Sequence, residues 1–351
     1  MENSKLMKKS YSRFAIAAIV FLLAAVAVQL FNNMVLSRFL PEKLTESGIY
    51  GFLNILVPEY CVGFPLLILV LLKTDKQAPE KNKFGFGRFV VCFLMVVGAT
   101  GIGAVIGFLV NLGIIAPFGI KAADSNALAN LMVGSNAFIR VLTVGILAPI
   151  VEELIFRKFL IDRVVKYGEW VAIITSGLMF GLFHGNFSQF FFATAIGGIF
   201  AYVYIRTGKV WYTIIYHMII NLSTSIITIS LVGMIDAEKA AQLQELSKQV
   251  QASGGQDAAL MQQFSELAVK VLPPIIMLYL WFGFMILLSI AGIVTWIVVL
   301  VKKKIKVQKR EDQVEGGMKY AWGNVGMIIF IIGTVTLFVL NYIAMIAPAF
   351  K

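Results

Sequence analysis

Nine apolar stretches, most of them near the ~20 residues that an α-helix needs to cross a hydrocarbon core of ~30 Å, constrain this chain more than any other feature. They fall at roughly 14–31, 49–72, 89–116, 138–160, 170–184, 190–205, 211–231, 274–301 and 325–347. In lipid every backbone N–H and C=O must be satisfied inside the segment, so the runs read as helices. Composition agrees: 59% of the 351 residues are hydrophobic and 14% are charged. The expected fold is all-α, a polytopic transmembrane helical bundle of about 8–9 spans in one integral membrane domain over 1–351. The fifth and sixth runs are short and joined by a polar turn, 185–189, which leaves the count open by one.

A net charge of +11 would suit a nucleic-acid binder, but the placement of the charges points to the bilayer. Basic residues gather at 5–13, 73–88, 157–166, 206–209 and 302–319, each time after an even number of spans. The positive-inside rule therefore gives a multi-pass protein of the cell membrane, N-terminus cytoplasmic and C-terminus external, with no nucleic-acid partner. Residues 14–31 follow a basic stretch and contain a small-residue triplet at 25–27, as a cleavable signal would, but the run is long for that role and reads as an uncleaved first span. Cys61 and Cys92 lie in or beside spans, without the spacing of a disulfide framework or a zinc cluster. The polar stretch 234–270 repeats Leu243, Leu246 and Val250, breaks at 253–255, and resumes with Leu260, Phe264 and Leu267. That pattern predicts an external amphipathic helical hairpin, either a cap over the bundle or a surface for gating or a partner.

Ionisable side chains inside spans cost a few kcal/mol each and need a partner or a polar cavity. The inventory is short: Glu59, Arg140, Glu152, Glu153, Arg157, His184 and His217, which includes both histidines of the chain. Residues four apart share a helix face, whereas neighbours point about 100° apart. Glu153 can thus pair with Arg157 in the favourable acid-first order, and Glu152 is left on another face without that partner. The same spacing sets Phe180 below His184 and His217 below Asn221. Glu152 with His184 would suit activating a water as general base, and His217 with Asn221 would suit an oxyanion. At 1.5 Å per residue, Glu152 lies ~21 Å from Lys166 and His184 ~22 Å from Glu169, whereas His217 is only ~12 Å past Lys209. The seventh helix must therefore tilt or start deeper. Glu59, between Pro58 and Tyr60, reads equally as a snorkelling or helix-breaking position or as a functional one, and is left outside the candidate site.

The segments Glu-Glu-Leu-Ile-Phe-Arg (152–157), Phe-Gly-Leu-Phe-His (180–184) and His-Met-Ile-Ile-Asn (217–221) resemble, in order, the EExxxR, FxxxH and HxxxN/D motifs of the CPBP family of CAAX proteases and bacteriocin-processing enzymes. The resemblance covers residues 138–231, the expected catalytic core helices, and is silent on the rest. It implies a type II CAAX prenyl protease-like intramembrane endopeptidase of the glutamate type. Glu152 would be the base, His184 its partner on the water, and His217 and Asn221 the oxyanion donors; Glu153, Arg157 and Phe180 would be structural support. Its partners would be the lipid bilayer and a peptide or membrane-protein substrate: a prenylated CAAX protein, a bacteriocin or pheromone precursor, or another membrane protein. No cofactor is expected. Zinc held by Glu152, His184 and His217 with one open position is the metal-dependent variant, disfavoured because HExxH is absent and asparagine is a poor zinc ligand. Two alternatives lie outside proteolysis: a non-catalytic immunity or scaffold protein of the same family, and a proton-coupled transporter, for which no inverted repeat is visible.

Overall fold

The computed structural model describes residues 2–45, 47–120 and 136–350, and among these it is helical throughout its regular structure, with no strand. All nine apolar runs are helices. Seven are long and apolar enough to cross a membrane: α1 (Glu2–Met34), α2 (Ile49–Leu71), α3 (Phe86–Ile115), α6 (Phe187–Thr207), α7 (Trp211–Gly233), α9 (Ala258–Val301) and α11 (Val325–Ile346). Between them lie α4, residues 137–164, which carries the paired glutamates, and the shorter apolar α5 (Glu169–Phe183). The polar stretch folds as α8 (Ala237–Ala252) packed back on the first turns of α9, with Leu243, Ala268 and Val271 between them. At 44 residues α9 is ~66 Å long, about twice a bilayer core, so its first turns stand clear of the bundle with α8. Pro273 and Pro274, which lack N–H groups, sit where the projecting and apolar parts meet. α10 (Gly317–Trp322) completes the chain order.

The basic stretches meet at one end of the bundle. The Gln77 N–H donates to the Asp162 carbonyl, the Asn82 N–H to Thr207, and the Val314 N–H to Tyr167. Arg13 donates to the Lys73 carbonyl and Asn3 to Asp312, which brings the start of α1 to the same end. α1 is longer than its apolar run, and its extra turns bury Met7 and Tyr11, with Met7 against Gly317 of α10. Glu169 binds both Arg206 and Arg310, tying α5, α6 and the loop after α9 together. The shared orientation of these loops is what the charge pattern predicts.

The turn between α6 and α7 is recessed beneath residues 79–84. A Cβ on Gly208 would collide with the carbonyls of Pro79 and Glu80, and Phe84 stacks edge-on against Tyr212 at 5.2 Å. Residues 79–84 thus pack directly on the turn that starts α7.

Candidate active site

Four wide π-type turns occur among the described residues, and all lie in α2, α4 and α7: Val57–Gly63, Val141–Leu147, Leu154–Phe159 and Leu222–Ile227. Two flank Glu152 and Glu153, one contains Glu59, and one begins immediately after Asn221. Such turns add a residue to the helical repeat, redirect side chains and loosen the backbone hydrogen-bond ladder, and they concentrate at functional sites.

Glu153 and Arg157 pair as the spacing predicts, although the turn between them is wide. Both are 0% exposed, with Arg157 Nε 2.9 Å from Glu153 Oε2 and Nη2 3.1 Å from Oε1. Arg157 Nη1 donates to Ser176 Oγ on α5, and that hydroxyl donates to the Phe156 carbonyl. The guanidinium lies over Phe180 at 4.8 Å and Phe200 at 5.4 Å. A buried arginine whose charge is paired and whose plane is stacked holds α4, α5 and α6 in one register.

His217 links this pair to Glu152. Its Nδ1 is 3.1 Å from Glu153 Oε1, and its Nε2 is 3.7 Å from Glu152 Oε2. Because the ionised Glu153 can only accept, Nδ1 is the donor, so the proton on that nitrogen is assigned by its partner. The second separation is too long for a direct hydrogen bond and of the size at which one water reaches both atoms. The Glu152 side chain is 25% exposed, unlike that of Glu153, so one carboxylate is sealed and the other open.

His184 caps the end of α5, its Nδ1 2.8 Å from the Phe180 carbonyl, which leaves Nε2 outward. Both imidazoles stand edge-on to the Phe180 ring, His184 at 5.0 Å and His217 at 5.6 Å. Gly185 follows with φ +65°, a left-handed turn suited to glycine, and Asn186 caps α6 through Gln189 N–H. α5 thus ends at His184, and α6 begins three residues later. Glu152 lies within electrostatic range of His184.

Asn221 has a use that its spacing does not reveal. In the wide turn at Val141–Leu147, the Ala148 N–H donates to Thr143, and the next residue in line for the Val144 carbonyl is Pro149, which has no N–H. Asn221 Nδ2 fills that vacancy at 2.9 Å. One amide hydrogen is spent on the backbone of α4, and the other is available for a ligand.

Glu59, set aside on sequence grounds, lies within electrostatic range of Glu152. α2 and α4 run in the same direction toward the basic end and touch on both sides of it. Phe52 shares an apolar cluster with Ile139, Val144 and Ile226 above, and Phe64 meets Phe159 at 6.0 Å below. Counting back from the lower contact puts Glu59 ~7.5 Å and Glu152 ~10.5 Å up their helices, a difference of two residues. The two carboxylates interact electrostatically, and Tyr60 interacts with both. Among the described residues the Glu59 side chain forms no hydrogen bond or ion pair, while its backbone carbonyl accepts from the Phe64 N–H. No spacing rule could have found it, because a lone acid in an apolar run looks the same whichever way it faces.

The donor set does not fit zinc. Among the described residues no three His, Cys, Asp or Glu side chains converge as a metal group. Nδ1 of His184 and of His217 is engaged by the Phe180 carbonyl and by Glu153, which leaves Nε2 as the free nitrogen of each ring, and among the described residues no third side chain converges with Glu152 and His217 as a metal group. No step is therefore routed through a metal.

Residues 134–223 match the family model described as type II CAAX prenyl endopeptidase, Rce1-like. The chain is 26% identical over 207 residues, 58% of its length and 81% of the relative's, to the Bacillus subtilis (strain 168) protein described as "Putative membrane peptidase YdiL". No solved structure matches. The matched segment contains Glu152, Glu153, Arg157, Phe180, His184, His217 and Asn221, and over it the chain is similar to CAAX protease-like membrane peptidases.

Proposed function

We propose that this chain is an intramembrane endopeptidase of the glutamate type, working without a metal on a peptide or membrane-protein substrate, in the cell membrane with its N-terminus cytoplasmic. The observation that carries the reading is the division of labour between adjacent carboxylates. Glu153 is sealed by Arg157, while Glu152 is partly open and stands 3.7 Å from His217 Nε2.

Arg157 offsets the charge of Glu153, which leaves Glu152 as the carboxylate of the cluster without an ion-pair partner of its own on α4. A water between Glu152 and His184 loses a proton to Glu152 as it attacks the scissile carbonyl. The Nε2–H of a His217 imidazolium, oriented by Glu153, and the second amide hydrogen of Asn221 donate to the oxyanion. Glu152 then returns the proton to the leaving amine.

The test compares membrane and secreted peptides from cells carrying the wild type and Glu152→Gln. A product that appears only with the wild type is expected, and identical peptide sets would remove the protease reading. With that substrate, cleavage should survive strong chelators and purified protein should lack stoichiometric zinc. Near-unit zinc that tracks activity would overturn the metal-free mechanism.

A further inference from the structure

A second cavity, about 1430 Å³, opens at the basic end between α3, α5, α6 and α9. It lies across α6 from the candidate active site. Phe200 faces His217 at 5.7 Å, whereas Gly198 and Tyr202, each two residues away and so on the opposite side of the helix, line the cavity.

Its wedge shape follows from glycines. α3 and α9 touch at Gly98 and Gly292, where a Cβ on Gly98 would come within 2.6 Å of the Gly292 carbonyl carbon. Gly103 and Gly107 hold the far half of α3 against α6, with the backbones of Phe192 and Phe187 in the way of any side chain. From this apex the helices diverge toward the basic end. Trp296 Nε1 spans the gap to the Met95 carbonyl at 2.8 Å, and Met95, Ile173, Gly198, Ile199 and Trp296 form apolar walls. Gly292 to Lys302 is ten residues, ~15 Å, which is the depth of one leaflet of a ~30 Å core.

The mouth carries Lys83, Arg88, Lys302, Lys303, Lys304 and Lys306. None of them forms an ion pair with a described residue. Two acids lie near the rim: Glu80, which lines the mouth and forms no ion pair with a described residue, and Glu169, which is held by Arg206 and Arg310. Lys303 has φ +48° at the end of α9, where the Lys304 N–H donates to Val299 and the Lys303 N–H to Leu300. Glycine is usual at that position, so a cation is kept at the mouth in spite of backbone strain.

We propose that this wedge binds one anionic phospholipid from the leaflet at the basic end, its phosphate on the lysine rim and its acyl chains between α3, α6 and α9. Unpaired cations at the headgroup level, apolar walls one leaflet deep and a volume above the ~300–1,000 Å³ of ordinary small-molecule sites together fit a two-chain anionic amphiphile.

The test uses delipidated full-length protein in detergent, with dioleoyl phosphatidylglycerol, phosphatidylcholine with the same chains, and glycerol 3-phosphate as probes. Native mass spectrometry reads adducts and thermal unfolding reads stabilisation. Phosphatidylglycerol should give a saturable single adduct and raise the unfolding midpoint, and the other two probes should do neither. Lys302→Gln/Lys304→Gln/Lys306→Gln should weaken binding on the order of 100-fold. Gly198→Leu should also lose the adduct by filling the slot; its Cβ would meet only Ile173, at 3.9 Å, so its lipid-free unfolding should match the parent. Equal binding of phosphatidylcholine, binding of glycerol 3-phosphate as tight as the lipid, or parent-like binding by both variants would overturn the site.

Discussion

Glu152 and Glu153 share a peptide bond and little else. Removing the charge of Glu153 strands Arg157 in a fully buried setting, so Glu153→Gln should lose about 3–5 kcal/mol of stability. Arg157→Lys should not be tolerated either, because an ammonium cannot reproduce the two-pronged contact or the stacking on Phe180 and Phe200. Glu152→Gln, in a partly open position, should unfold within about 0.5 kcal/mol of the parent and be inactive. Thermal unfolding of the three purified variants in one detergent checks the set, and a Glu153→Gln protein as stable as the parent would contradict the buried pair. At this scale helical spacing made the Glu153–Arg157 pair and the separation of Glu152 legible. It was silent on Glu59 and on Ser176 beneath Arg157, since both depend on which helices become neighbours.

The helices around the site are irregular where they meet it, and the irregularity has a local cause that can be tested. If Asn221 replaces the hydrogen that Pro149 cannot offer to Val144, then Asn221→Ala leaves a buried carbonyl unsatisfied and should cost about 1–3 kcal/mol. Restoring the N–H with Pro149→Ala should recover much of that loss in the double variant, a coupling that a purely catalytic asparagine would not show. Thermal unfolding of the four proteins of the cycle measures it. The sequence displays Pro149 and Asn221 plainly, 72 positions apart, but the register of a wide turn is set by the packing of α4 on α7. The existence and order of the nine helices were readable from apolar runs. The packing of residues 79–84 on the turn that starts α7 was not readable in this way.

For the molecule as a whole, the gathering of residues 3–13, 73–82, 162–169 and 302–314 at one end makes the proposed orientation a single yes-or-no question. Cysteines introduced at 76 and 306 should react with impermeant thiol reagents only after permeabilisation, and one at 245 in α8 should react in intact cells, in a background with Cys61 and Cys92 replaced. The opposite pattern would invert the orientation. The charge pattern foretold the gathering, because each loop's basic residues follow an even span count; the wedge it encloses was invisible, because Gly98 and Gly292 are 194 residues apart. Two of the wedge's walls, α5 and α6, belong to the segment that matches other proteases, and two, α3 and α9, lie outside it. Proteins that share the matched segment but carry different flanking helices would then, on the proposed lipid site, differ in the membranes that suit them, because half of the slot is built from helices the match does not reach.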